Sequence, residues 1–170
     1  MKKLLFLFVA LFMLVGCIST QQFTREITAA PTEEKEFAIT QLAFCSEPPE
    51  DLGVYQKKAN NKYQIDDELM LYIEFRGISE IILNDDLKEA WLIQYITIMD
   101  PDGIEKLSLE AINSHPMNIP VNISIDPSWL WNYIPVTADY TLGEYAIIIQ
   151  IIDNLNGNTD MKEIKFVVVK

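Results

Sequence analysis

Few residues of this chain have the types and spacing that enzyme chemistry needs. His115 is the only histidine, and it stands in the loop-like stretch 113–116. No Gly-x-Ser-x-Gly motif is present to supply a nucleophile beside it. A zinc site would have to combine His115 with carboxylates and Cys45, which is an unusual ligand set. The sequence therefore predicts a protein that is not an enzyme, with Cys45 as a buried, inert thiol.

Oxygen-bearing side chains gather near the C-terminus of the chain. Asp153, Asn156, Asn158 and Asp160 surround a glycine, and hard cations such as Ca²⁺ prefer carboxylate, amide and carbonyl oxygens held in a loop. Their spacing does not match the EF-hand loop, which ends in a glutamate. Asn, Asp and Gly also fill hairpin turns, because they tolerate positive φ and bond their own backbone. These residues are candidate calcium ligands, with turn chemistry as the alternative, and no other cofactor is predicted.

Three aromatic residues, Trp129, Trp131 and Tyr133, are spaced two apart. On a strand, residues at this spacing point to the same side. If they are exposed, they can stack on sugars or anchor a protein partner, whereas buried aromatic residues would belong to the core. The segment precedes Pro135 and also fits a connection at one end of a domain. We take the three residues as candidate ligand-binding residues, with core or loop packing as the alternative.

The N-terminal segment has the pattern of a secretory signal. A basic start at Lys2 and Lys3 precedes the apolar run 4–15 and the small residue Gly16. The run is shorter than the roughly 20 residues that a membrane-spanning helix needs. The last four residues of this region, Leu-Val-Gly-Cys ending at Cys17, resemble the lipobox of prokaryotic lipoproteins.

The lipobox resemblance implies that a diacylglycerol is attached to the Cys17 sulfur and that the chain is cut before Cys17. The new N-terminus is often acylated as well, and two or more acyl chains give stable anchoring. Residues 1–16 would then be a signal peptide, and the mature protein would be anchored to a membrane without crossing it. Ile18 and Ser19 follow the cysteine, with no aspartate, which in a two-membrane bacterium resembles sorting to the outer membrane.

Composition limits the partners of the protein. The chain has 13 Lys and Arg against 25 Asp and Glu, a net charge of −12, and removal of residues 1–16 makes this −14. Such acidity argues against nucleic acid and against an anionic bilayer surface as partners. Residues 17–36 are predicted to be the lipidated cysteine followed by a polar, flexible tether. The root-mean-square end-to-end distance of such a tether is roughly 25 Å. The remaining residues 37–170 are enough for one domain.

Residues 37–170 consist of short apolar runs separated by turn signals, which favours an all-β sandwich of about seven strands. A short helix around 85–90 is a weaker prediction. Asn156-Gly157 predicts a hairpin between the last two strands, and Pro120 suggests an edge strand. The predicted strands are 37–45, 69–75, 90–99, 104–110, 118–125, 143–152 and 161–169.

The last two predicted strands carry a further resemblance. Gly143-Glu-Tyr145, an alternating apolar strand that ends at Asp153, and the closing Phe166-Val-Val are similar to the end of bacterial and archaeal immunoglobulin-like surface domains. The resemblance implies an immunoglobulin-like antiparallel β-sandwich in which Tyr145 is the packing tyrosine at the start of the penultimate strand. The chain lacks the paired inter-sheet cysteines of antibody domains.

Together these features predict an envelope lipoprotein whose domain lies outside the cytoplasm. We expect a non-enzymatic binding or structural module that contacts a protein or a glycan. The alternatives are an accessory subunit of an envelope transport or secretion complex, and a calcium-dependent surface module.

Overall fold

The structure is a computed structural model that describes residues 36–112 and 114–170. The predicted signal peptide 1–16, Cys17 and the tether up to residue 35 lie outside the described residues. Within the described residues the chain forms strands and no helix. The strands are β1 (Ala38–Cys45), β2 (Lys62–Tyr63), β3 (Glu68–Arg76), β4 (Ile81–Ile82), β5 (Leu87–Ala90), β6 (Leu92–Met99), β7 (Glu105–Ile112), β8 (Met117–Pro120), β9 (Ser128–Pro135), β10 (Gly143–Asp153) and β11 (Thr159–Val168).

The described strands form three sheets. One sheet has the order β1-β3-β9, a second has the order β2-β11-β10-β6-β7, and a small third sheet has the order β4-β5-β8. Every pairing is antiparallel except that of β2 with β11. The first two sheets contribute side chains to one hydrophobic core, so the domain is an all-β antiparallel sandwich, as the sequence predicts.

The core arises from strict alternation along the central strands. In β10, Tyr145, Ile147, Ile149 and Ile151 are buried, while the residues between them are partly exposed. Because successive side chains on a strand point to opposite faces, this places four apolar side chains of one strand on the inner face. Full burial of each such side chain contributes about 1.5–3 kcal/mol. The same alternation in the neighbouring strand β6 extends this inner face, and that in β3 of the other sheet supplies facing residues.

A pair of amides links the two packed sheets inside the core. Gln94 on β6 is buried, and its Nε2 donates to Oδ1 of Asn132 on β9 at 2.8 Å. The Asn132 Nδ2 donates back to Gln94 Oε1 at 3.3 Å. A buried polar group is stable only where it is hydrogen-bonded, so this pair favours one register of the two sheets over shifted ones.

Tyr145 has the position that the immunoglobulin-like resemblance implies. It lies near the start of β10, is buried, and its hydroxyl accepts a hydrogen bond from Thr141 N at 2.8 Å and lies 3.1 Å from Thr141 O. A tyrosine that bonds the backbone a few residues upstream is the tyrosine corner of such sandwiches. This contact holds the connection into β10 against the core.

Three predicted elements differ from the structure. Residues 128–135 form the full strand β9 rather than a connection, because their inward residues Leu130 and Ile134 reach the core. Residues 87–90 form β5 and not a helix, since they pair with β4 and β8. The predicted strand 118–125 is shortened to β8, which does lie at a sheet edge, as Pro120 suggests. The other six predicted strands correspond to β1, β3, β6, β7, β10 and β11, each of eight or more residues.

No helix in the described part of the chain is long and apolar enough to cross a membrane.

Two buried tyrosines allow a matched test of the core. Tyr145 and Tyr63 are each 1% exposed, but the Tyr63 hydroxyl has no hydrogen-bond partner among the described residues. We expect Tyr145→Phe to lower the free energy of unfolding by about 1–2 kcal/mol, because Thr141 loses its partner. Tyr63→Phe should leave that free energy unchanged or raise it, since it removes an unsatisfied polar group. Urea unfolding of both variants measures the free energy of unfolding. An equal loss of that free energy in the two variants would contradict the prediction.

Candidate functional site

Side chains of β3 alternate between the two faces of the three-stranded sheet, so the inner face is apolar and the outer face carries other residue types. Leu69, Leu71, Ile73 and Phe75 enter the core, so the residues between them point outward. The register with β9 pairs outward β3 residues with the predicted ligand-binding residues, as Met70 with Tyr133, Tyr72 with Trp131, and Glu74 with Trp129. The three predicted residues therefore share one face of one sheet.

The predicted aromatic residues differ in exposure. Trp131 is 41% exposed and Tyr133 is 48% exposed, whereas Trp129 is half-buried. They do not belong to the hydrophobic core, which takes the alternate residues of β9. Exposure of two large neighbouring aromatic side chains is the geometry that a stacking role requires, and ligand binding by them stays a prediction.

Tyr72 supports these residues from the neighbouring strand. Its ring stacks on Tyr55 with 4.2 Å between centroids and on Trp129 with 5.9 Å. Tyr72 is fully buried although it points outward, because Tyr55 and the loop 46–57 cover it. We call Tyr55, Tyr72, Trp129, Trp131 and Tyr133 the aromatic face.

The hydroxyl of Tyr72 fixes the loop that covers this residue. Gly53 N donates to Tyr72 Oη at 2.8 Å. The short side chains of Ala43 and Cys45 on β1, both 1% exposed, leave room for the loop against the sheet. The stacked rings are thus held from the sheet side and from the loop side.

Two carboxylates accompany the aromatic face. Tyr72 Oη donates to Glu74 Oε2 at 3.0 Å, and Tyr133 Oη donates to Glu68 Oε1 at 2.6 Å. Burial, reinforced by the Glu74 charge, raises the pKa of Tyr72 to about 12. The hydrogen bond to Glu68 raises the pKa of Tyr133. Both phenols therefore remain donors near neutral pH. Glu74 Oε1 also accepts from Thr40 Oγ1 at 3.5 Å, whereas the second oxygen of Glu68 can accept from a ligand.

A cleft opens beside Tyr55 in the covering loop. It has a volume of about 480 Å³. Besides Tyr55, its lining residues are Glu47, Pro48, Glu50, Gly53, Val54 and Gln56. The cleft adds two more carboxylates to the surroundings of the aromatic face.

The four candidate calcium ligands take part in hydrogen bonds within the protein. Asp153 is fully buried, and its carboxylate accepts from Ser79 N at 2.6 Å and Leu155 N at 3.1 Å. Asn156 Oδ1 accepts from Asn158 N at 2.7 Å. These contacts fix the β10–β11 hairpin.

Asp160 has a similar structural role, because its Oδ2 accepts from Ile39 N at 2.8 Å and so joins β11 to β1. In the part of the chain that the structure describes, no three His, Cys, Asp or Glu residues are grouped to hold a metal ion. Calcium binding by Asp153, Asn156, Asn158 and Asp160 stays a prediction.

The residues considered for catalysis lie in different environments. His115 is exposed in the stretch before β8. Cys45 is a free thiol that is 1% exposed, and burial raises its pKa, so its reactive thiolate form is disfavoured. The absence of enzyme activity stays a prediction, and Cys17 lies outside the described residues.

Sequence reasoning missed four members of this site. The alternation Glu68-x-Met70-x-Tyr72-x-Glu74, opposite to the apolar residues of β3, was a signal that could have found the two glutamates and Tyr72. Tyr55 gave no such signal, because it stands in a polar loop whose fold depends on contacts distant in sequence.

No protein-family model matches the sequence, and no curated protein matches it. Among solved structures, the chain is similar to the C-terminal domain of wzt, with 15% identity, a TM-score of 0.50, and coverage of 79% of this chain and 74% of that chain. It is also similar to the PKD domain of an M14-like peptidase from Thermoplasmatales archaeon SCGC AB-540-F20, with 12% identity, a TM-score of 0.40, and coverage of 65% and 88%.

A third similar structure is the CARDB domain of a Pyrococcus furiosus protein, with 10% identity, a TM-score of 0.38, and coverage of 81% of this chain and 98% of that chain. At these identities the likeness concerns the fold alone. The fold is an immunoglobulin-like antiparallel β-sandwich.

The raised pKa of Tyr72 predicts a loss of stability in alkali. An unfolded tyrosine ionises near pH 10, whereas Tyr72 in the folded protein ionises at about 12. Between these values only the unfolded chain gives up the proton, so stability falls as pH rises. We expect the free energy of unfolding of Tyr72→Phe, measured with urea, to fall less steeply with pH over this range than that of the unsubstituted protein. An equally steep fall would contradict the raised pKa of Tyr72.

Proposed function

We propose that this chain is a lipid-anchored, non-enzymatic module of the cell envelope that binds neutral glycans on its aromatic face. The observation that carries the proposal is the pair of exposed rings, Trp131 and Tyr133, beside two carboxylates on the same face. Trp131 is 41% exposed and Tyr133 is 48% exposed, and Glu68 and Glu74 each accept a hydrogen bond from a tyrosine of that face.

This combination suits sugars because a pyranose ring has both an apolar and a polar aspect. Its C–H groups pack on an aromatic ring, as apolar surface does on Trp and Tyr. Its hydroxyls donate to carboxylates, and hydrogen bonds to ionised acceptors are about twice as strong as neutral ones. The carboxylates of Glu68 and Glu74 would repel uronic acids and phosphorylated sugars, so the site favours uncharged glycans.

The support beneath the exposed rings adds to the case for binding. Tyr72 is held between Tyr55 and Trp129 and by Gly53 N. Residues fixed before the ligand arrives lose little conformational entropy on binding. Tyr72 and Trp129 are therefore fixed before a ligand arrives, and Tyr133 is fixed by its hydrogen bond to Glu68.

The anchor gives the module its location. In the proposal, diacylglycerol on Cys17 holds the domain at the outer surface of a membrane, which is the outer membrane where the cell has two. The tether that ends at residue 36 lets the aromatic face search roughly 25 Å around the anchor. A glycan-binding domain held there would tie envelope polysaccharide to the membrane.

A second candidate function is that of an accessory subunit that packs on a protein of an envelope complex. Ile81, Ile82 and Leu83 on the small sheet are 45%, 69% and 47% exposed. Exposed apolar patches of this kind mark protein contacts. The accessory-subunit function would use the exposed residues of the small sheet, whereas glycan binding would use the aromatic face. Substitutions on the two surfaces therefore distinguish the two functions.

Affinity electrophoresis of the full chain in gels that contain neutral polysaccharides tests glycan binding. We expect retardation by at least one neutral polysaccharide and none by a polyuronate. Trp131→Ala should weaken binding roughly tenfold or more, as for a central aromatic contact. Leu109→Ala, which removes a 37% exposed side chain of β7, is the matched control and should bind normally. Equal mobility in every gel would refute the proposal.

Two cysteine substitutions test the anchor. We expect the Cys17→Ala protein that lacks residues 1–16 to move from the membrane fraction to the soluble fraction, because the site of the proposed lipid and the apolar run 4–15 are both absent. Cys45→Ala, at a buried thiol, should remain in the membrane fraction. Fractionation followed by immunoblotting measures this, and a Cys17→Ala protein that stays membrane-bound would show that another segment anchors the chain.

A further inference from the structure

The edges of the sheets differ in how they are protected. A strand at a sheet edge presents unpaired N–H and C=O groups, which are a template for pairing with another chain. In the residues that the structure describes, the edge strands are β1 and β9, β2 and β7, and β4 and β8. Proteins protect such edges with short strands, charges, proline, bulges or covering loops.

The edge of β1 is covered by other parts of the chain. Lys58 N donates to Phe44 O at 2.8 Å, and Ser46 N donates to Gln56 O at 2.9 Å, so the following loop pairs with the end of β1. At its other end, Ile39 N donates to Asp160 at 2.8 Å. Backbone groups at both ends of β1 are therefore already engaged.

Four other edges are protected by length, charge or proline. β2 and β4 have two residues each, and β8 has four and ends at Pro120. β7 is long, but it carries Glu105, Lys106 and Glu110, and its register with β6 shifts twice. None of these strands offers a long, regular, uncharged edge.

Among the described edges, that of β9 is the least protected. The strand has eight residues, Ser-Trp-Leu-Trp-Asn-Tyr-Ile-Pro, without a charge, and proline appears only at its last position. Across the described residues, β3 alone pairs with β9. Trp131 and Tyr133 are exposed beside this edge, and the inward residue Leu130 is only half-buried. A long apolar edge of this kind invites strand addition.

We propose that β9 pairs with β9 of a second copy of this chain, antiparallel across a two-fold axis, so that two three-stranded sheets join into one of six strands. A two-fold axis lets the same strand serve both sides of the interface. The proposal goes beyond glycan binding and does not rest on it.

Charge favours a second copy at this edge over other faces of the molecule. The chain has a net charge of −12, so most faces of two copies repel each other. β9 contains no charge, and self-pairing along it therefore sets no like charges directly opposite each other. Trp131 and Tyr133 of one copy would instead face aromatic residues of the other, and cross-strand aromatic pairs stabilise a sheet.

Light scattering from the full chain in detergent, separated on a sizing column at several protein concentrations, measures the oligomeric state. We expect a dimer that dissociates on dilution. Trp131→Lys, which places a charge beside the edge, should raise the dissociation constant of the dimer about tenfold or more. Leu109→Lys makes the same kind of change at the β7 edge and should leave the dimer intact.

Hydrogen exchange identifies the contact. Backbone amides of β9 should become more protected as protein concentration rises, while those of β7 should not change. Tyr133→Lys is a second variant in case Trp131→Lys unfolds, and urea unfolding verifies that each variant is folded. A chain that is monomeric at every concentration would overturn the proposal, as would a dimer that persists in both folded β9 variants without protection of β9.

Discussion

Each strand of the sandwich has to give one of its two faces to the core. In β10 this takes every second residue from Tyr145 to Ile151, and β3 gives Leu69, Leu71 and Ile73 in the same way. Because the side-chain period of a strand is two, a shift by one residue would expose this whole set and bury its neighbours. The residues left outside are fixed as firmly as those inside, and they are the ones free to acquire a function.

The outer face of β3 and β9 carries residues that the core does not require. The outward residues here include four large aromatic side chains, Tyr72, Trp129, Trp131 and Tyr133. The loop 46–57 then packs on Tyr72 and removes it from solvent. The domain thus has a second, smaller layer of aromatic packing outside the sheet, and the uncovered part of that layer is the proposed binding surface.

Local patterns predicted the fold class well and the site only in part. The alternation in 143–152 and 161–169 and the turn at Asn156-Gly157 identify the β10–β11 hairpin. The resemblance to immunoglobulin-like domains identified Tyr145 as a packing residue, and its hydrogen bond to Thr141 N was not predicted. Residues 128–135 were ambiguous, because aromatic residues at spacing two occur in loops as well as strands. Their assignment depends on pairing with β3, more than fifty residues earlier, and on Leu130 and Ile134 reaching the core. Such long-range contacts leave no local signature.

The position of β1 would have a mechanical consequence if the domain is held from its N-terminal side, as proposed. The described chain begins at residue 36 and enters β1 two residues later. Tension between that point and a ligand on the aromatic face would run through β1, β3 and β9, and also into β11 where Ile39 N donates to Asp160. The hydrogen bonds of antiparallel strands lie perpendicular to the strand direction, so a pull along β1 loads all the bonds of the β1–β3 ladder together instead of opening them one by one.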